Sequence, residues 1–267
     1  QKRAILCVER LAARRCGTSL PWNRDPARGA RTARSRSYFT YGQIVHRDAT
    51  WCLSGRLHLD QRNSFALGPS GFTGLFEPAR LGRLPLQTAA RTSVGTAISS
   101  MQVARAISDG ILVPVEKRVT EMFKSADELL TVDKGGLIFL PEPGVHEGVG
   151  ELDFASMYPT IMVRHNLSQE TFGCACCRED GELVPELGLR VCVRRRGLIS
   201  RPLAPLLAKR AACKVLKKTG ATPAIRERAA ALATAHKWML VCCFGYLGYK
   251  NARFGRIEAH EATNAWG

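Results

Sequence analysis

Two rhythms of hydrophobic and polar positions run through the chain after residue 37. Tyr38–Tyr41, Gln43–His46 and Thr50–Leu53 read as strands, and Gly55-Arg-Leu-His-Leu-Asp60 alternates polar and apolar residues as a half-buried strand does. Leu75–Leu81 and Ser99–Ile107 have helical spacing, and Gly110-Ile-Leu-Val-Pro114 stops the second of these helices. Ala126–Leu130 predicts a short helix, and Gly135–Leu140 a strand ending at Pro141. Gly148–Phe154 reads as an apolar strand leading into Ser156-Met-Tyr-Pro159, where Pro159 suits the first turn of a helix. Residues 174–192 form a cysteine-bearing loop. Leu203–Lys218 predicts a strongly basic helix, Thr219–Pro223 a turn, and Ala224–Phe244 a second helix folding back along the first. The class expected is α+β: two long helices projecting from a strand-based base, an arrangement able to close over a ligand.

Composition changes the picture at one end. Lys and Arg number 39 against 23 Asp and Glu, a net charge of +16. Residues 1–36 hold ten of those cations and two of the acids. Residues 1–37 are therefore expected to form a basic, disordered arm, or an arm that lies on phosphates. Over the whole chain, 45% hydrophobic and 23% charged residues exclude wholesale disorder. No run of eighteen uninterrupted apolar residues exists, so no membrane span is expected. The excess of positive charge points to an acidic partner, nucleic acid first. A start at Gln1 without a hydrophobic signal core suggests a fragment of a longer cytoplasmic, nucleoid-associated protein. Its ten cysteines are then expected to be reduced, buried or metal-bound.

Three groups of residues carry candidate chemistry. Asp153 ends the apolar 148–154 segment, where a carboxylate reaches a metal at a sheet's lip and the helix after it offers N–H groups to an anion. A turn or cap residue is the plainer reading. Arg210 and Lys214 share a helix face, either as solvated charges or as the two sides of a polyanion site. Lys237 begins a face that continues through Val241 to Phe244 and Gly245, which suits a phosphate at one end and a flat base at the other. Cys174 and Cys177 have Cys-x-x-Cys spacing, and Cys176 and Cys192 complete four thiolates. Unligated thiols and a structural zinc site both remain open for them.

Asp153-Phe-Ala-Ser-Met-Tyr-Pro-Thr-Ile-Met162 resembles motif A of family B DNA polymerases, Asp-x-x-Ser-Leu-Tyr-Pro-Ser-Ile-Ile. Lys237-Trp-Met-Leu-Val-Cys-Cys-Phe-Gly245 is similar to motif B, Lys-x-x-x-Asn-Ser-x-Tyr-Gly, and runs on through Tyr246-Leu-Gly-Tyr249 and Ala252-Arg253 in the family's manner. Arg210-x-x-x-Lys214 falls where the family's fingers helix carries a triphosphate-binding pair. The resemblance covers about residue 50 onward and looks like a divergent archaeal or bacterial branch.

That resemblance implies an incomplete polymerase palm with a two-helix fingers insertion, preceded by a remnant of an RNase H-like exonuclease domain. Residues 38–125 would be the exonuclease remnant and connector, 126–200 the palm, 201–248 the fingers and 249–267 a return to the palm. It also implies roles. Asp153 and the Phe154 carbonyl would bind two Mg²⁺ ions. Backbone N–H groups at Ser156, Met157 and Tyr158 would hold the triphosphate, with Tyr158 against the sugar. Arg210, Lys214 and Lys237 would grip the outer phosphates, beside Val241 and Gly245. Partners would be primer-template DNA and dNTPs, with other replication or repair proteins. Thermophilic members carry a disulfide near the Cys174–Cys192 loop, which adds oxidation as a third reading there.

The departures carry equal weight. Val241 and Cys242 stand in place of Asn-Ser, and Phe244 in place of Tyr. The Asp-x-Asp hairpin of motif C is absent, and neither the Tyr-x-x-x-Asp motif of the proofreading exonuclease in Gln61–Gly74 nor its Asp-x-Glu motif upstream of that stretch is found. The expectation is DNA-directed DNA synthesis in the full-length parent, with the 267-residue chain inactive alone and without 3′–5′ exonuclease. The alternative is a catalytically inactive, polymerase-like DNA-binding or scaffold protein of a replication or repair complex.

Overall fold

The computed structural model describes residues 2–20, 22–29, 31–40, 43–61, 63–116, 123–132, 135, 138–249 and 251–267. At the N-terminus, Lys2–Cys16 form helix α1, which corrects the expectation of a structureless arm over 1–37. Its Arg, Ala and Leu residues are good helix formers, and Arg14 and Arg15 sit in the last turn, where the helix dipole favours cations. Strand β1 (Arg31–Ala33) pairs antiparallel with β4 (Thr50–Cys52), and β2 (Arg36–Thr40) with β3 (Gln43–Arg47). The strands expected there form; Tyr41 lies outside the described residues. Gly55–Asp60 does not form a strand. Gly55 adopts a left-handed φ of 70°, and Arg91 Nη2 donates to the carbonyls of Trp51 (2.7 Å) and His58 (3.0 Å), so a side chain takes the place of a ladder partner.

Helices α2 (Leu67–Leu81), α3 (Leu86–Ala89) and α4 (Val94–Ser108) follow, with α2 kinked at Gly71. After α5 (Ala126–Val132) the chain runs without regular structure from 138 to 154. Neither strand expected in this stretch is formed; Gly136 and Leu137 of the first lie outside the described residues. A strand needs a neighbour for its N–H and C=O groups, and among the described residues none pairs here. The apolar side chains are correspondingly open, Leu152 being 99% and Phe154 79% exposed.

The remainder is helical and well packed. Helix α6 (Met157–Arg164) leads through two short 3₁₀ turns and the two-residue pair β5 (Glu182–Leu183) and β6 (Arg190–Val191) into α7 (Ser200–Thr219), α8 (Pro223–Gly248) and α9 (Ile257–Ala265). The fold is thus mixed helix and strand, but among the described residues the strands make three separate two-stranded sheets rather than one base. Between α7 and α8 the Thr222 hydroxyl accepts from Ile225 N (3.3 Å), Pro223 opens α8, and Arg226 Nη1 donates to the Gly220 carbonyl (2.6 Å). By length and composition α8 would suffice to cross a membrane. Its buried Met239, Leu240, Cys243 and Leu247 instead share one core with Ile98 of α4, Met162 of α6, and Leu203 and Leu206 of α7.

The start of α7 is held by side chains from the stretch after α6. Gly197 N donates to Asn166 Oδ1 (2.7 Å), Leu198 N to Glu170 Oε1 (2.5 Å) and Ile199 N to Ser168 Oγ (3.1 Å). Asn166 Nδ2 donates to the carbonyls of Cys192 (2.8 Å) and Arg195 (2.7 Å), and Ser200 Oγ to that of Met162 (3.1 Å). The backbone at Gly197 comes so close to this set that a Cβ there would lie 2.4 Å from Ser168 Cβ.

A second polar contact joins α2 to α8. Glu77 Oε1 accepts from His236 Nε2 (3.0 Å) and from Arg80 Nη2 (2.8 Å). The His236 hydrogen bond, aided by Arg80, outweighs burial and holds this carboxyl at about 2, against its usual 4.5. A carboxyl depressed by folding contributes stability that is complete above its unfolded value and lost as pH falls towards its folded one. Stability should therefore drop between pH 4.5 and about pH 2, and Glu77→Gln should flatten that drop while costing about 1–3 kcal/mol at neutral pH. Urea unfolding of both proteins across this range checks it; equal acid slopes would refute it.

Candidate functional site

The site grows from the junction of residues 153–158 with the α7–α8 hairpin. Ser156 precedes α6 with a left-handed backbone (φ 54°, ψ 48°), uncommon for a residue with a Cβ. The turn this makes ends the irregular segment and starts a helix within one residue, which leaves the first amides of α6 without intrahelical partners. Arg210 of α7 donates from Nη1 to Ser156 Oγ. The guanidinium expected at a triphosphate thus reaches the residue expected to hold one.

Aromatic contact makes a second link. Tyr158 of α6 stacks on Phe244 of α8 (4.3 Å between centroids, 20° between planes), and Phe244 stacks on His260 of α9 (4.1 Å, 18°). Such contacts contribute about 0.5–1.5 kcal/mol beyond burial. Residues expected from separate parts of the chain are thereby brought together: Ser156 with Arg210, and Tyr158 with Phe244. Met157 is half-buried at the start of α6. Lys214, one turn along from Arg210, is exposed. Lys237, Val241 and Gly245, four residues apart on α8, are also exposed and form one open stripe.

Asp153 and Phe154 lie on the irregular segment just before this junction and are exposed. They stand on a loop rather than at the end of a strand, which corrects the expected setting of the carboxylate. No set of three or more metal-ligating side chains gathers around Asp153 among the described residues.

The four cysteines do converge. The sulfurs of Cys174, Cys176, Cys177 and Cys192 all lie within 4.8 Å of one another, with Cys177 and Cys192 buried. Burial opposes ionisation of Cys192, yet the backbone N–H groups of Arg195 and Arg194 bring its thiol down to about 7. Burial, and then hydrogen bonds with the other sulfurs, push Cys174 up to about 12.

The sequence did not single out His260 or Trp266. Trp266 stacks on His165 (4.1 Å), whose Nδ1 lies 2.8 Å from Glu182 Oε1. The run Glu258-Ala-His-Glu-Ala262 reads only as helix, and nothing local marks His260 as the outer member of a stack.

The model of DNA polymerase family B matches residues 92–262. The chain belongs to DNA polymerase family B. It is similar to DNA polymerase 2 of Saccharolobus solfataricus, with 34% identity over 193 residues, covering 72% of this chain and 28% of that one. DNA polymerase 1 of Pyrococcus abyssi is 30% identical over 215 residues, covering 78% and 26%. The family B DNA polymerase from Pyrobaculum calidifontis has a similar fold, with a TM-score of 0.54 and 29% identity over 73% of this chain and 25% of that structure. This family B chain thus spans roughly a quarter of its relatives' length, and the matched region contains every residue of the junction just described.

The backbone at Ser156 gives a test. Ser156→Ala and Ser156→Gly both lose the Arg210 contact, but only glycine adopts a positive φ without steric cost. Ser156→Gly should therefore be more stable than Ser156→Ala by about 1 kcal/mol. Denaturant titration reads the difference, and an Ala variant as stable as the Gly variant would rule out strain at this position.

Proposed function

We propose that this chain is the nucleotide-binding part of a DNA-directed DNA polymerase that extends a primer 3′-OH with dNTPs on a template, working at the nucleoid. The observation that carries the reading is the Arg210–Ser156 contact, because it ties a cationic helix to the turn that would cradle the triphosphate. Under this reading residues 126–200 belong to the palm, 201–248 are the fingers, 249–267 return to the palm, and 38–125 are the exonuclease remnant and connector. Residues 1–37 add a basic element, and replication or repair proteins are further partners.

The amides at Ser156, Met157 and Tyr158 would bind the triphosphate. Arg210, Lys214 and Lys237 would neutralise its outer phosphates as the hairpin closes. Tyr158, backed by Phe244, would lie against the sugar. Val241 offers no hydrogen bond, so contact with the base along the α8 stripe would rest on shape, with Gly245 leaving room for it: a Cβ there would meet nothing within 4 Å. The donors at Asp153 and the Phe154 carbonyl are hard oxygens, which fit Mg²⁺. When bound, two such ions would supply charge neutralisation and activation of the primer oxygen. One carboxylate supplies few of the ligands they need, so further acids must join Asp153 in the active protein.

A catalytically inactive, DNA-binding or scaffold protein is the second reading, favoured by Val241 at the motif B position and by the absence, among the described residues, of a converging acid set at Asp153. Asp153→Ala in the full-length protein separates the two. A polymerase should lose at least about a thousandfold in primer extension, as expected for removal of a metal ligand, with DNA affinity unchanged. The 267-residue chain alone should give no templated product and no 3′–5′ degradation. Unaltered extension by the full-length variant would overturn the proposed role of Asp153, and a full-length wild type that binds DNA without extending it would leave the binding reading.

A further inference from the structure

We infer that Cys174, Cys176, Cys177 and Cys192 hold one zinc ion as a tetrathiolate site. This does not rest on the polymerase reading. Cys176 Sγ lies 3.6 Å from Cys174 Sγ, 3.6 Å from Cys192 Sγ and 3.7 Å from Cys177 Sγ, and Cys177 Sγ lies 3.6 Å from Cys192 Sγ. A Zn–S distance of about 2.3 Å sets the edge of a regular tetrahedron at about 3.8 Å. The sulfurs are therefore spaced for one central ion and sit too close for a multi-iron cluster, which spreads its cysteines around a larger core. None of the four is paired in a disulfide. A 3₁₀ turn over Ala175–Cys177 lets the adjacent Cys176 and Cys177 face the same centre.

The surroundings suit the charge. A zinc tetrathiolate carries two negative charges, and Arg195 N donates to Cys192 Sγ (3.4 Å). Arg178 follows the first three cysteines and Arg194–Arg196 follow the fourth. The site also has a mechanical role. Cys192 N donates to the Thr171 carbonyl (2.8 Å), and the Cys192 carbonyl accepts from Asn166, the side chain that also receives the Gly197 amide at the start of α7. Zinc would tie residues 174–177 to that anchor and so fix the direction in which α7 carries Arg210.

Metal analysis of the full 267-residue chain, purified anaerobically without added metal, tests the inference. One zinc per chain is expected, lost in Cys176→Ser and in Cys192→Ser and retained in Cys213→Ser, whose thiol lies on α7 outside the cluster. Cobalt reconstitution of the unaltered protein reads the coordination even where a variant fails to fold. Thiolate-to-cobalt charge transfer with tetrahedral d–d bands supports four sulfur ligands. Less than about 0.1 equivalent of zinc with no cobalt spectrum overturns the site. So does iron with labile sulfide, or a Cys174–Cys192 disulfide in non-reducing peptide maps.

Discussion

Three successive amides, at Gly197, Leu198 and Ile199, anchor the start of α7, from which the helical hairpin runs. They lead into a long helix, and each is satisfied by a different side chain from one short stretch, Asn166, Glu170 and Ser168. Leaving such groups buried and unpaired costs about 1–3 kcal/mol apiece, so the set admits few alternative paths for the chain. Gly197 is required because a Cβ would collide with Ser168. The direction of α7 is set at this point, eleven residues before Arg210, and α8 follows through a turn capped by Thr222.

From that anchor the rest is a matter of reach. Arg210 meets Ser156, whose left-handed backbone presents the start of α6 to the same space. Phe244 returns on α8 to stack on Tyr158, and His260 closes the stack from α9. One cation and one aromatic pair thus connect segments 54 and 86 residues apart. The four cysteines lie behind this junction, joined to it through the Cys192 carbonyl and Asn166. A metal centre there would stiffen the base of the hairpin while its outer face, with Lys214, Lys237 and Val241, stays open to a ligand.

Much of this was legible in the sequence. The α7–α8 hairpin followed from helical spacing and from Thr219-Gly-Ala-Thr-Pro223, where both the cap and the first-turn proline are local signals. Motif A and motif B marked the junction because their spacing is specific. What failed was periodicity without a partner. The apolar residues of 148–154 read as a strand, but alternation describes one edge of a ladder and says nothing of the other. The same holds for Gly55–Asp60, where Arg91 takes the His58 carbonyl. Over Lys2–Cys16, charge density alone suggests disorder, although Arg, Ala and Leu are also strong helix formers. The polar anchor was invisible, since nothing in Asn166, Ser168 or Glu170 taken singly points to amides some thirty residues away.

The central claim is that α6 and the α7–α8 hairpin form one nucleotide site. Photo-crosslinking with a dATP analogue that carries its reactive group on the γ-phosphate, followed by peptide mapping, tests it most directly. The account predicts label on the Arg210–Lys214 and Lys237–Gly245 segments, suppressed by unlabelled dNTP at far lower concentration than by pyrophosphate. Label confined to the basic segment before residue 37, displaced equally well by any polyanion, would contradict it.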